Sequence, residues 1–183
     1  MRIQEETIII KDGRSLTLRS AEERDAETML DYVRKTAEET HFLIRYPEEI
    51  SDDLEREKKI INDNLESEDS VWFTAFDGDK AVGNCSISRH RNHIKLRHRC
   101  DFAIAIEKDY CGLGLGTILM EKACKKASEM SFEQIELGVY ADNDKGIALY
   151  RKMGFEEMGR NIKAFKLKDG SYIDEINMIK FLS

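Results

Sequence analysis

Ile104-Ala105-Ile106-Glu107-Lys108-Asp109-Tyr110-Cys111-Gly112-Leu113-Gly114-Leu115-Gly116-Thr117 reads as the end of a strand, a glycine-rich loop and the start of a helix. Glycines alternating with Leu113 and Leu115 let backbone N–H groups approach an anion closely. The first turn of a helix adds unpaired donors and a partial positive charge. The stretch therefore predicts a pyrophosphate cradle. Glycine-rich loops also serve as plain turns, so a second segment carries weight: Asn143-Asp144-Lys145-Gly146-Ile147-Ala148-Leu149-Tyr150-Arg151-Lys152-Met153-Gly154-Phe155. It follows at the spacing of one intervening helix and strand, and it predicts a helix opened by Asn143, a preferred N-cap, and closed at Gly154.

Together the two segments resemble the GNAT superfamily of acetyl-CoA-dependent N-acetyltransferases. The loop of that family is written Q/R-x-x-G-x-G/A and its later helix N-x-x-A-x-x-L-Y-x-x-x-G-F. Cys111 stands where Gln or Arg is usual, which leaves the backbone cradle intact because the cradle needs the glycines. Ala148 directly precedes Leu149 instead of lying further upstream. The resemblance implies an α/β GNAT fold with a mixed central sheet flanked by helices. It implies acetyl-CoA as cosubstrate, no metal, and direct attack by a primary amine without a covalent acetyl-enzyme. Cofactor contacts are implied for Ile104, Ala105, Ile106, Cys111, Gly112, Leu113, Gly114, Leu115, Gly116, Thr117 and Asn143, and catalysis for Tyr150 and Asp101. Lys168-Asp169-Gly170-Ser171-Tyr172-Ile173-Asp174-Glu175, with the acidic charge, is similar to polyamine and ribosomal-protein N-acetyltransferases. The acceptor implied by the resemblance is a small-molecule amine such as a polyamine or an antibiotic, or a protein or peptide N-terminus.

At 183 residues and 41% hydrophobic, the chain suffices for one sizeable core, and a single domain over residues 1–183 is expected. A formal charge of −7 argues against a general nucleic-acid binder and is compatible with a cationic substrate, although acidity often serves solubility alone. Cys85, Cys100, Cys111 and Cys124 form no C-x-x-C pair, and the start Met1-Arg2-Ile3-Gln4-Glu5-Glu6 is charged. Reduced thiols and a cytoplasmic location are expected. No run approaches the ~18 apolar residues that span a bilayer, so no membrane role is expected.

Ile8–Ile10 and Leu16–Arg19 flank the turn signal Asp12-Gly13 and predict a hairpin. Ser20 with Glu23 predicts a capping box for a first helix, and a second helix is expected from Ser51 or Asp52. Val71–Phe76 and Ala81–Ile87 predict a second hairpin. In the next strand Leu96, Cys100, Phe102, Ile104 and Ile106 share one parity, with Arg97, Arg99 and Asp101 opposite. After the loop, Leu115, Ile118, Leu119, Ala123, Ala127 and Met130 line a helical stripe. Ile135, Leu137 and Val139 mark a strand, and Phe155–Gly159 with Tyr172–Phe181 suggest a closing pair able to join across a homodimer.

Amide formation needs an amine lone pair. Freeing it from an ammonium of pKa ~10.4 costs roughly 4 to 5 kcal/mol near neutral pH. Asp101 sits in the strand before the loop as the candidate acceptor of that proton, with pairing to Arg97 or Arg99 the alternative. A free aspartate is a weak base, pKa ~3.9, so burial or a water relay would be needed. Free N–H groups at the Ile104–Ile106 edge would serve an oxyanion, and Tyr150 would serve the departing sulfur, or else pack as a core tyrosine. The basic island Arg89–Arg99 reads as a solvated hairpin, and His90-x-x-His93 there does not read as a metal site. Two other classes stay open. One is a CoA-binding module without catalysis. The other is a dinucleotide oxidoreductase using Glu136 as a ribose-binding acid, although the third glycine falls one residue too early for that fingerprint.

Overall fold

The computed structural model describes residues 1–182. Contacts divide the chain into two compact units, Met1–Ser88 with Ala103–Ala123, and Arg89–Phe102 with the chain from Cys124 onward.

In the first unit, β1 (Glu6–Ile9) and β2 (Ser15–Arg19) form the expected N-terminal hairpin. Its turn rests on Gly13 at φ 88° and on Asp12 Oδ1, which accepts the Arg14 N–H at 3.1 Å. Then come α1 (Ala26–Glu39), α2 (Leu54–Glu66), β3 (Ser70–Asp77) and β4 (Lys80–Arg89). The strand order is β1-β2-β3-β4, antiparallel throughout. Met29 and Tyr32 of α1 bury against Ile61 of α2 and against Phe76 and Ala81 of the sheet.

Two helix starts differ from expectation. Ser20 Oγ accepts the Ile3 N–H at 2.9 Å and caps no helix. Glu22 and Asp25 instead form a reciprocal box around a 3-10 turn, Glu23–Asp25, that leads into α1. The cause is Arg19, whose guanidinium grips both Asp25 oxygens at 2.6 and 2.8 Å and so fixes the point of entry. Likewise α2 opens at Leu54, because Asp53 takes the Arg56 N–H at 3.0 Å.

β5 (Arg99–Ile106) and α3 (Leu115–Glu129) contribute residues to both units. Leu96 lies in a 3-10 turn, Ile94–Leu96, and so falls outside the strand, whereas Cys100 and Phe102 are buried as their parity requires. On α3 the stripe Leu115, Leu119, Ala123 and Ala127 is wholly buried; Met120, outside the expected stripe, is buried too. Met130 lies just past the end of the helix. The second unit adds β6 (Gln134–Tyr140), α4 (Asp144–Lys152), β7 (Glu156–Lys166) and β8 (Tyr172–Phe181), in strand order β5-β6-β8-β7. β5 and β6 are parallel, and the other pairs are antiparallel, which gives the mixed pairing expected. Among the described residues no helix is long and apolar enough to cross a membrane.

Ile135, Leu137 and Val139 are buried on one side of β6, Glu136 and Tyr140 on the other. A carboxylate at that depth needs partners. Arg99 donates to both Glu136 oxygens at 2.5 Å, and the Gln134 amide donates at 2.6 Å. Burial pushes the Glu136 carboxyl up, but these donors outweigh it and hold the group below the ordinary glutamate range. A folded-state pKa below the unfolded one, about 4.3, means that this stabilisation is present above that pH and is lost as pH falls through it. Arg99→Gln should therefore cost about 2 kcal/mol near neutral pH, less than a fully buried pair because Arg99 is partly exposed. Urea unfolding should also show a shallower loss of stability below about pH 5 in the variant than in the wild type.

Candidate active site

In the first unit β5 runs into the glycine loop. Gly112 and Gly114 take φ of 76° and 89°, a region that side chains avoid. A Cβ at Gly112 would meet nothing within 4 Å, so the space beside this residue is open. The first α-helical bond here runs from Ile118 N–H to Gly114 O at 3.1 Å. The N–H groups of Leu115, Gly116 and Thr117 therefore have no partner within the helix, and α3 adds the dipole of fifteen residues behind them. Open backbone, turned amides and a helix N-terminus fit a phosphate-bearing ligand. Cys111 is exposed and folds back on its own strand end, its Sγ 3.6 Å from the carbonyls of Ile106 and Glu107. It thus occupies the Gln or Arg position without extending outward as those side chains would.

Glu107, wholly buried at the strand end, governs this loop. Its Oε2 accepts from Lys35 of α1 and Lys80 of β4, each at 2.7 Å, while Oε1 has no partner among the described residues. Its own N–H donates to Val82 O at 3.0 Å. On either side, Tyr32 donates to Ala105 O at 2.7 Å and Glu39 accepts the Lys108 N–H at 2.7 Å. Tyr32, Lys35 and Glu39 recur at helical spacing, so one face of α1 holds three successive points of the strand end. Further on, Tyr110 donates to Asp77 at 2.7 Å beneath the Arg14 guanidinium, 4.2 Å from its ring. Lys11, in the first hairpin, gives its N–H to Leu113 O at 2.9 Å and lays its stem 3.5 Å from where a Gly114 Cβ would stand. Its ammonium is thereby carried to the loop.

Asp101, Asn143 and Tyr150 belong to the second unit. Asn143 Oδ1 accepts the Gly146 N–H at 3.0 Å and caps α4. Tyr150 is 8% exposed with its ring 6.1 Å from Phe155. Burial pushes its phenol up to about 12. Asp101 pairs with neither arginine proposed for it. Arg99 is taken by Glu136, and Asp101 Oδ1 lies 2.8 Å from His90 Nδ1. Hence the island Arg89–Arg99 is not a purely solvated hairpin, and the Glu136 carboxylate, held by Arg99 and Gln134, is committed within the protein and not presented to a ribose. The β5–β6 ladder ends at Asp101 and Glu136; beyond it β6 continues through Leu137–Tyr140 with β8 as its ladder partner.

A strand that feeds positive-φ glycines and a long helix, followed by an Asn-capped helix bearing a buried tyrosine, sets a definite pattern. Residues 22–155 match the family model described as Acetyltransferase (GNAT) family. The chain belongs to this family. Its fold agrees: a GNAT-family acetyltransferase from Streptococcus pneumoniae superposes with a TM-score of 0.84 at 28% identity, over 91% of this chain and 99% of that one. An L-amino acid N-acetyltransferase of Escherichia coli is 30% identical over 57% of this chain and 63% of its own length. A spermidine N(1)-acetyltransferase of the same organism is 34% identical over 49% of this chain and 47% of its own. The chain spans less than two thirds of the length of these two relatives.

Sequence reading missed Lys11, the Tyr32–Lys35–Glu39 face, Glu107 and His90. The helical spacing of the α1 residues was a usable signal; nothing local pointed to Lys11. Glu107→Gln should destabilise the protein by about 1 to 3 kcal/mol in chemical denaturation. Lys35 and Lys80 are partly exposed and can rehydrate, which limits the loss. Asn143→Ala should cost about 1 kcal/mol as a lost cap, and Asn143→Asp should restore it.

Proposed function

We propose that this chain is an acetyl-CoA-dependent N-acetyltransferase acting on a primary amine, with residues 1–183 working as one catalytic domain. The amides of Gly112–Thr117 would hold the pyrophosphate, the Lys11 ammonium would add a charge-assisted contact, and Ile104–Ile106 would line the pantetheine arm, with Asn143 a further candidate contact of the cofactor. When bound, acetyl-CoA supplies a thioester carbonyl open to attack. The residues then have three tasks: to align the amine, to receive its proton and to support the departing sulfur.

The observation that carries catalysis over mere binding is Tyr150. The Tyr150 ring is packed but the residue keeps 8% exposure, and among the described residues no charge or hydrogen bond engages its phenol, so the hydroxyl is left available as a donor, which a cofactor-binding module has no need of. At a pKa of about 12 it stays protonated, so it always presents a donor. Complete transfer to a thiolate of ordinary pKa ~8.5 would be uphill by roughly 5 kcal/mol, so Tyr150 would keep its proton and stabilise the sulfur through a hydrogen bond, while the proton of the departing thiol comes from the attacking nitrogen. The acceptor class is a small-molecule amine or a peptide N-terminus. The names of the relatives, an L-amino acid and a spermidine acetyltransferase, support the former, and the acidic charge of the chain suits a polyamine.

Calorimetric titration with acetyl-CoA, NADH and NADPH tests the cofactor, and binding of acetyl-CoA alone is expected. Gly114→Ala, strained at φ 89°, should weaken that binding by about tenfold, corresponding to ~1.4 kcal/mol. Tyr150→Phe should leave acetyl-CoA affinity unchanged and lower kcat by about 100-fold. Unchanged turnover in this variant would return Tyr150 to the core and leave a binding module.

A further inference from the structure

His90 follows β4 directly, and its N–H donates to Arg99 O at 3.1 Å. The ring Nδ1 lies 2.8 Å from Asp101 Oδ1. An ionised carboxylate only accepts, so Nδ1 carries the hydrogen and donates it. In the neutral ring the lone pair is then on Nε2. Arg99, which shares a strand face with Asp101, spends two donors on Glu136, so the imidazole has the Asp101 carboxylate to itself. Both side chains stay reachable, at 26% and 48% exposure, and Asp101 is the residue at which the β5–β6 ladder ends. Asp101 meets the ring directly, Glu136 on β6 lies near enough to interact with it and is itself paired with Arg99, and Arg89 and Arg91 flank His90 in the chain.

We propose that the His90–Asp101 pair is the proton acceptor of the transfer, with His90 as the base and Asp101 as the residue that positions it; this rests on the N-acetyltransferase reading above. An imidazole is ordinarily the stronger base than an aspartate by roughly 2.6 pKa units, which removes the need to bury Asp101 or relay through water. His90 Nε2 takes one proton from the acceptor ammonium and passes it to solvent. The freed nitrogen pair makes the C–N bond as the C–S bond breaks, and the second N–H proton leaves with the sulfur as thiol. Charge and atoms balance without an oxidant or reductant. Asp101 holds the ring in one tautomer and stabilises the imidazolium, the logic by which a carboxylate orients a catalytic histidine.

The test is thiol release from acetyl-CoA with spermidine, L-phenylalanine and an alanyl peptide as acceptors, for wild type, His90→Gln and Asp101→Asn. With the amine that turns over fastest, His90→Gln should lower kcat/KM by about 100-fold near pH 7. The deficit should shrink several-fold by about pH 9.5, where the amine is increasingly unprotonated and needs no base. Asp101→Asn, which keeps the imidazole, should show the same pH-dependent deficit in weaker form, and acetyl-CoA affinity should hold in both. A deficit equal at the two pH values, or none, would overturn the assignment, and if His90→Gln does not fold, Asp101→Asn decides by the same criterion. Wild-type protein that binds no acetyl-CoA, or releases no thiol with any of the three amines, would overturn the acetyltransferase reading itself and the pair with it.

Discussion

Glu107 is a carboxylate removed from water at the point where β5 gives way to the glycine loop, and the geometry of the loop depends on how its charge is met. Lys35 and Lys80 converge on one of its oxygens from α1 and β4. Two charge-assisted bonds on a single oxygen outweigh the orphaned Oε1, which by itself costs roughly 1 to 3 kcal/mol. A helix and a strand distant in sequence are thereby fixed to the same residue. With Tyr32 on the Ala105 carbonyl two residues before it and Glu39 on the Lys108 amide after it, the chain enters the loop along a defined path. Backbone amides fit an anion best when their directions are set beforehand, and the restraint at Glu107 sets the path by which the chain enters Gly112–Thr117.

A second buried acid, Glu136, has a different effect. By engaging Arg99 through both oxygens it withdraws the nearest cation on the strand from Asp101 and leaves that carboxylate to His90. One ion pair thus decides the identity of another. The Tyr150 phenol is the converse case, a polar group whose environment supplies burial and nothing more. Glu107 and Glu136 are met by donors from other elements, whereas the Tyr150 phenol remains available.

Much of the fold was legible because it depends on local chemistry. Asp12-Gly13 demanded a turn, Asn143 a helix start, and the wholly buried stripe of α3 a helix packed on one face. What was misread depended on partners far along the chain. Ser20 looked like a cap until the Ile3 N–H claimed it, and α1 starts where Arg19 clamps Asp25. Leu96 matched the parity of β5 but sits in a 3-10 turn, since alternation alone does not show where pairing begins.

The sequence by itself determined the glycine turn and the helix after it, since glycines that tolerate positive φ before a long helix are a property of consecutive residues, and it determined the helix that carries Tyr150. Only the tertiary structure decided which charges meet. Lys35 and Glu107, or His90 and Asp101, are ordinary charged positions when read in order. Their roles arise from a pairing in which each side chain takes the partner that its neighbours leave available, and that choice is made by the whole fold because a buried charge must be satisfied wherever the donor lies in the chain.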